Sequence, residues 1–243
     1  MDRRMDGLDT LRGLTLLSMA AYHTCWDLVW MFGFDWSWYS SYGAYLWQQS
    51  ICWTFILLSG FCAQFGRHTL RRGLLIFLCG AVISLFTFFF MPSNLVFFGV
   101  LSFMGTAMLC VAGLRPFLSR VPAVPGLALS FILFLLFRNV ASRTLGFFGV
   151  TLCRLPATLY RNALTACLGF PPPRFYSTDY FPLLPWLFLF LCGYFLHTFA
   201  DRVPRPLMGT RLPVVTALGR HSLWAYMLHQ PLIYACLSLL FRR

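Results

Sequence analysis

Apolar side chains fill most of the chain in long runs, separated by short polar stretches that contain Arg, Pro, Gly and Asp. A membrane-spanning helix needs about 20 predominantly apolar residues. Seven runs are of this kind, and they cover residues 11–31, 44–64, 73–91, 95–114, 124–140, 180–200 and 218–240. The pattern predicts an all-α protein, a polytopic transmembrane helix bundle of about seven spans in which residues 1–243 form a single domain.

Composition agrees with a membrane protein, since 59% of the residues are hydrophobic and only 11% are charged. The chain contains no Lys and no Glu, so its 19 basic residues are all Arg and its net charge is +12. These Arg residues punctuate apolar segments instead of covering a soluble face, so we expect no nucleic-acid partner. No cysteine spacing fits a structural zinc site, and we expect no metal. Cys153 and Cys167 share a predicted outer loop, where an oxidising compartment would let them pair.

The distribution of Arg predicts the orientation in the membrane. The N-terminal stretch and the connections after spans two, four and six are rich in Arg: Arg3, Arg4, Arg12, Arg67, Arg71, Arg72, Arg115, Arg120, Arg202, Arg205 and Arg211. The short opposite connections carry none, whereas the Arg-containing segment 141–179 is long enough to be translocated with less regard to charge. We therefore expect a multi-pass protein of the plasma (cytoplasmic or inner) membrane with a cytoplasmic N-terminus.

The first predicted span contains ionisable side chains. Placing an Asp or Arg at the middle of a membrane span costs about 2.5 to 3.5 kcal/mol. His23 follows Arg12 by 11 residues, a helical rise of about 16 Å, or half of the hydrocarbon core. Asp27 lies one turn further on, where its carboxylate would accept a hydrogen bond from the His23 imidazole and orient it. Intramembrane His and Asp predict a functional site.

The last predicted span repeats this arrangement. His229 follows Arg220 by nine residues, a rise of about 13 Å, which is close to the expected depth of His23. One interpretation is that His229 and Gln230 line a polar cavity between two helices. The alternative is that they satisfy backbone groups freed by Pro231, which cannot continue a regular helical turn.

Asp179 and Tyr180 enter the sixth predicted span from the outer side, shortly before Pro182 and Pro185. Asp179 is either the N-cap of that helix or, together with Tyr180, a contact to a bound substrate.

Four segments resemble bacterial members of the heparan-alpha-glucosaminide N-acetyltransferase catalytic-domain family. They are Leu8–Gly13 with Tyr22 and His23, Trp53–Gly60, Asp179–Trp186, and Gly219–Ser222 with His229–Pro231. The spacing from Arg to His is also similar to that of the acyltransferase-3 type of membrane O-acyltransferase, which usually has more spans than this chain has room for. The connection 32–39, where lysosomal members have their proposed catalytic His, contains no His, and this favours His23.

The resemblance implies transfer of an acetyl group from cytoplasmic acetyl-CoA, as co-substrate, to an amine or hydroxyl of a sugar or glycoconjugate. It implies that His23 acts as general base or transient acyl carrier, that Asp27 orients it, and that His229 contributes to catalysis. The Arg residues at inner helix ends are either topological anchors or ligands for the CoA phosphates, where almost no acidic residue would repel that anion: Arg12, Arg220, Arg71 and Arg72.

Asp179, Tyr180 and Gln230 are the candidate contacts to the acceptor. Membrane lipids and the acceptor are the expected partners, and self-association into a homo-oligomer is left open.

Two other classes of function stay open at this point. In a proton-coupled transporter or flippase for a polar or lipid-linked solute, intramembrane His and Asp would relay protons, and helices broken at Pro182 and Pro231 would line the pathway. The absence of a visible repeated half argues against it. The other class is a non-catalytic membrane protein that has kept the fold.

Overall fold

The structure is a computed structural model that describes residues 6–65, 68–147, 149–202 and 212–241. Within these residues the chain forms eight α-helices: α1 (Asp6–Trp26), α2 (Tyr42–Ala63), α3 (Thr69–Phe90), α4 (Val100–Leu118), α5 (Ala123–Phe137), α6 (Leu183–Leu196), α7 (Pro213–Arg220) and α8 (Ser222–Phe241). A π-helical turn (Asp27–Met31) follows α1. Short 3₁₀ turns lie at Ser37–Ser40, Pro92–Asn94, Val140–Ser142, Ala157–Tyr160, Leu164–Leu168 and His197–Arg202.

Five of the described helical segments are long and apolar enough to cross a membrane: Thr69–Phe90, Val100–Leu118, Ala123–Ser142, Leu183–Ala200 and Ser222–Phe241. The chain is therefore an all-α, polytopic membrane protein, as its sequence pattern predicts. The first two predicted spans correspond to α1 and α2, which have 21 and 22 residues. Both helices are long enough to span a membrane, but they are less apolar than the five segments above and are not among them. That α1 and α2 cross the membrane therefore stays a prediction. Arg3, Arg4, Arg67, Arg205 and Arg211, on which the predicted orientation partly rests, lie outside the described residues.

The chain divides into two compact units, with the boundary inside α2 after Leu58. The first unit comprises α1, most of α2, α7 and α8. Its apolar core is built on Leu16, Met19 and Ile51. Trp47 of α2 donates its indole N–H to the Ser18 hydroxyl at 2.8 Å, which ties α2 to α1 by a polar contact as well.

Glycines bring α1 and α7 into direct backbone contact. A Cβ placed on Gly13 would overlap the carbonyl oxygen of Val215, and one placed on Gly219 would overlap the carbonyl oxygen of Asp9. At the same crossing the buried hydroxyls of Thr10 and Thr216 share a hydrogen bond of 2.7 Å. Small residues allow helices to approach this closely where no larger side chain fits between them.

The second unit, residues 59–200, contains α3 to α6. Gly80 of α3 lies against the backbone of Ser102, and Gly105 of α4 against the backbone of Phe77, so these two helices also pack through small residues. Gly60, at the end of α2, lies against the Phe190 carbonyl of α6. A small residue at this position permits the close approach of α2 and α6.

The connection between α5 and α6 contains a two-stranded antiparallel hairpin that the sequence pattern did not predict. Its strands are β1 (Thr144–Phe147) and β2 (Val150–Arg154), with Thr144 opposite Arg154 and a bulge between Leu145 and Gly146. Cys153 and Cys167 are both free and exposed, so the pairing considered for them is absent from the structure.

The glycine crossing predicts the effect of adding one methyl group. Gly13→Ala or Gly219→Ala should lower the free energy of unfolding by about 1 to 3 kcal/mol, because the new Cβ forces α1 and α7 apart. Thermal unfolding of the purified protein in detergent measures this loss. Gly113→Ala in α4 is the matched control, since nothing lies within 4 Å of its added Cβ, and we expect it to leave the midpoint unchanged or slightly higher. Equal stability of all three variants would contradict the packing described.

Candidate active site

Two histidines meet in the first unit. His23 lies near the end of α1 and His229 in the middle of α8, and their ring centroids are 5.0 Å apart with nearly edge-on geometry. Aromatic rings flank the pair, with Tyr22 beside His23 at 6.1 Å and Tyr226 beside His229 at 5.2 Å. The two histidines, whose spacing to Arg predicts a similar depth, are thus neighbours in the structure, and their depth in a membrane stays a prediction.

Asp27 is fully buried at the point where α1 widens into the π-helical turn. Its Oδ1 accepts a hydrogen bond of 2.6 Å from the Nε2 of Gln230 on α8. Among the described residues, Gln230 therefore takes the place that the helical spacing assigns to His23. The widened turn, in which the Asp27 carbonyl accepts from the amide of Phe32, begins at Asp27 and leaves the regular spacing between His23 and Asp27 intact. The partner of Asp27 comes instead from another helix, a contact that spacing along α1 does not show.

The second polar group of the site is His229, whose Nδ1 hydrogen-bonds the backbone carbonyl of Tyr226. Because a carbonyl only accepts, Nδ1 carries the proton in the neutral ring and Nε2 carries the lone pair. The Tyr226 carbonyl is not the one that lacks a donor because of Pro231, which is that of Met227 four positions before it. His229 also contacts His23, and the lining of a polar cavity by these side chains stays a prediction.

Three buried polar atoms of this cluster have no hydrogen-bond partner among the described residues: Oδ2 of Asp27, Oε1 of Gln230 and Nε2 of His229. An unsatisfied buried group costs about 1 to 3 kcal/mol, and native proteins contain few of them. Two acceptor oxygens and one basic nitrogen are therefore available to a polar ligand that carries N–H or O–H groups.

Arg12 and Arg220 lie together at the other end of the α1–α7 contact, but each is paired with a carboxylate. Arg12 binds Asp9 at 2.7 Å, and Arg220 binds Asp6 directly and approaches Asp9 with its Nε at 3.7 Å. The expectation that almost no acidic residue lies near these guanidinium groups is wrong. The spacing of Asp9 and Arg12 by one helical turn is a signal for this pair that sequence reasoning missed.

The other predicted site residues belong to the second unit. Arg71 and Arg72 are exposed in the first turn of α3. The hydroxyl of Tyr180 donates to the Ala166 carbonyl at 2.6 Å. The Oδ2 of Asp179 accepts from the backbone amide of Val100 at 3.0 Å, so Asp179 caps α4 rather than the helix that follows it. The contacts of these residues with CoA or an acceptor stay predictions.

The Asp179 carboxyl lies outside the spanning segments, and its burial raises its pKa to about 6, although the hydrogen bond from Val100 acts in the opposite direction. Burial also raises the pKa of the Tyr180 phenol. The capping contact keeps an acceptor at the amino end of α4, where the helix dipole and the unpaired amides favour one.

Comparison with known proteins gives one result that covers nearly the whole chain. The family model described as heparan-alpha-glucosaminide N-acetyltransferase, catalytic, matches residues 4–231. That range contains both histidines, Asp27, Gln230 and all the other candidate site residues. No curated protein and no solved structure matches the chain.

The cap on α4 predicts a difference between two substitutions of Asp179. Asp179→Ala should lower the free energy of unfolding by about 0.5 to 2 kcal/mol, because the Val100 amide loses its acceptor, whereas Asp179→Asn keeps an acceptor and should preserve stability. Thermal unfolding in detergent at neutral pH compares them. Equal destabilisation by both would contradict the capping role.

The raised pKa of Asp179 fixes the sign of the pH dependence. Between the ordinary Asp pKa of about 3.9 and the folded value, the native state binds more protons than the unfolded state. The contribution of Asp179 to stability is therefore largest at low pH and decreases as the pH rises to about 6. Unfolding midpoints measured from pH 4 to 8 should show this decrease in the wild type relative to Asp179→Asn; parallel curves would contradict it.

Proposed function

The chain belongs to the heparan-alpha-glucosaminide N-acetyltransferase catalytic-domain family, and from this premise we propose that it moves an acetyl group from acetyl-CoA to an amine or hydroxyl of a sugar or glycoconjugate. The five helices that can cross a membrane agree with a membrane enzyme of this family. The observation that carries the proposal is the cluster in the first unit, where two imidazoles meet beside a buried carboxylate–amide pair.

The chemistry needs one proton acceptor and one proton donor. The nitrogen or oxygen of the acceptor attacks the thioester carbonyl carbon, a C–N or C–O bond forms, and the C–S bond breaks. The acceptor loses a proton, and the released CoA thiolate takes one up. An imidazole performs both transfers near neutral pH and contributes about 10² to 10⁴-fold to the rate.

His23 and His229 are the side chains of the cluster that fit this role. The Tyr226 carbonyl fixes the lone pair of His229 on Nε2, and the motif of the first helix favours His23 as the base or the transient acyl carrier. Because the rings are 5.0 Å apart, a proton taken by one has a second basic group close by. We assign proton transfer to this pair, with His23 as the principal base.

Asp27 and Gln230 have a supporting role in the proposal. The buried Asp27 carboxylate favours an imidazolium that forms in the cluster, since an opposite charge stabilises the charged form. The Gln230 amide holds one carboxylate oxygen in place at 2.6 Å. The other carboxylate oxygen and the Gln230 carbonyl are acceptors that an amine or hydroxyl substrate would satisfy.

For the CoA phosphates we propose Arg12 and Arg220, on the side that the Arg distribution assigns to the cytoplasm. Guanidinium groups bind phosphate by paired N–H donors. The ion pairs of Arg220 with Asp6 and Asp9 do not use all five donors of its guanidinium group. Phosphates would therefore join or displace the carboxylates. We propose Arg71 and Arg72 as further basic contacts to the CoA phosphates. We propose Asp179 and Tyr180 as contacts to the acceptor.

The histidine pair provides the test of the enzyme. His23→Ala should abolish acetyl transfer in membranes while expression and acetyl-CoA binding stay near wild type, because the proton acceptor is lost and the fold is not. We expect His229→Ala to lower the rate by about 10² to 10⁴-fold. Asp27→Asn should cause a partial loss, since the shape stays and the charge is removed. Transfer of labelled acetyl groups to amino sugars and polyols measures these rates.

His221→Ala is the matched control, since His221 is an exposed histidine between α7 and α8, and its activity should equal that of the wild type. Full activity in His23→Ala would contradict the mechanism. A transporter would behave differently: the wild type would turn over no acetyl-CoA with any acceptor, and the His23 and Asp27 variants would lose pH-dependent solute uptake in liposomes.

The ion pairs give a separate test of the CoA site. Arg220→Gln should weaken acetyl-CoA binding, with a smaller difference at high salt because screening reduces the contribution of the lost charge. Asp6→Asn breaks the same ion pair and leaves Arg220 with only the longer contact to Asp9 at 3.7 Å, so the affinity of this variant should equal or exceed that of the wild type. Calorimetric titration compares the two variants. If Arg220→Gln binds acetyl-CoA as tightly as the wild type does, Arg220 is a topological anchor and not a CoA ligand.

A further inference from the structure

A cleft of about 740 Å³ lies in the second unit, in the connection between α5 and α6. Its walls are formed by the turns after α5 and by the Pro171–Pro173 run, and aromatic rings cover much of its surface: Tyr160, Phe175, Tyr176 and Tyr180. The hydroxyls of Tyr160 and Tyr180 donate to the carbonyls of Val140 and Ala166, which fixes both rings. The cleft is therefore a preformed feature of the connection.

Two arginines line this cleft, Arg143 and Arg161. Neither has a carboxylate partner in the described part of the chain, in contrast to Arg12 and Arg220. Arg143 lies over the ring of Tyr160, with its guanidinium carbon 5.6 Å from the ring centroid. Asp179 is the single acidic residue of the sequence between positions 138 and 182, and its carboxylate is engaged by the Val100 amide. The described lining of the cleft is thus positively charged and contains no carboxylate.

The cleft also has a definite position relative to the membrane. α5 and α6 are both part of segments that can span a bilayer, and they are antiparallel, since Phe134 near the end of α5 contacts Trp186 near the start of α6 while Gly126 contacts Phe195. The connection between them therefore lies at one surface of the membrane. Tyr and Trp are enriched at this level, where lipid head groups meet water.

Apolar side chains on the same connection point outward. Val150 and Leu152, which alternate on β2, and Leu164 are all strongly exposed. A segment that joins two spans and exposes apolar side chains next to cationic ones matches the requirements of the interfacial layer, where apolar groups enter the acyl boundary and Arg remains at the phosphates.

We propose that this cleft binds a phosphate ester group at the membrane surface, with Arg143 and Arg161 as its ligands and the tyrosine rings as its walls. Guanidinium groups pair with phosphate oxygens through two parallel N–H donors. A phospholipid head group and a soluble phosphate ester share this chemistry. The interfacial position favours the lipid, because its phosphates are present there at high local concentration and its acyl chains lie beside the exposed leucines and valine.

The test uses the purified full-length protein in detergent and three variants with the same change of charge. Arg143→Gln and Arg161→Gln alter the cleft, and Arg154→Gln is the control, since Arg154 is exposed on β2 and does not line it. The probes are dioctanoyl phosphatidylglycerol and glycerol phosphate, the lipid and a soluble ester. Intrinsic fluorescence measures the dissociation constant, and circular dichroism verifies that each variant is folded.

We expect the wild type and Arg154→Gln to bind the short-chain phosphatidylglycerol equally, and each cleft variant to bind it about fivefold more weakly. The same Arg-dependent binding of glycerol phosphate, at equal affinity, would support the phosphate site and overturn the lipid as its source. The proposal is overturned altogether if the cleft variants bind both probes as the control does. Arg161→Gln alone decides the outcome if Arg143→Gln is unfolded, since Arg161 is exposed and its side chain makes no described ion pair.

Discussion

The backbone contact between α1 and α7 at Gly13 and Gly219 is the constraint on which the rest of the first unit depends. His23 follows Gly13 by ten positions within α1, a helical rise of about 15 Å. The chain turns at His221, between α7 and α8, and α8 then runs beside α1 and brings His229 to His23. The close approach of α7 to α1 thus sets where α8 begins, and the contact between the two imidazoles depends on it.

Polar interactions secure this arrangement at both ends. Asp6 and Asp9 lie in the first turn of α1, and Arg220 lies in the last turn of α7, so each charge is on the side that its own helix dipole favours. Their ion pairs join the helices on one side of the glycine contact, and the hydrogen bond between Asp27 and Gln230 joins α1 to α8 beyond the histidines. A chain with only 11% charged residues places several of them at this one helix pairing, and this concentration agrees with a functional site.

The helices could be predicted, because they follow from hydrophobic run length, and the proximity of His23 and His229 could be predicted from the similar spacing of each to an Arg. The partner of Asp27 could not be predicted, because Gln230 lies on another helix, 203 positions away, and spacing along α1 contains no sign of it. Asp179 was interpreted either as the cap of the helix that follows it or as a substrate contact; the structure shows it capping α4, 79 positions away in sequence, and the substrate contact stays a prediction. The β-hairpin between α5 and α6 was missed for a similar reason, since strands of four and five residues leave only a short pattern.

The three unsatisfied polar atoms near the histidines bear on whether the cluster is structural or functional. A purely structural polar network is expected to satisfy its members, because each buried atom without a partner costs about 1 to 3 kcal/mol. Here one oxygen of Asp27 and the amino group of Gln230 are satisfied by each other, whereas the second carboxylate oxygen, the Gln230 carbonyl and His229 Nε2 are not. Apolar residues of similar size would remove this cost and preserve the packing of α1 against α8. A cluster of acceptors and a basic nitrogen, within a chain of an acetyltransferase family, agrees with the proposed transfer to an N–H or O–H group.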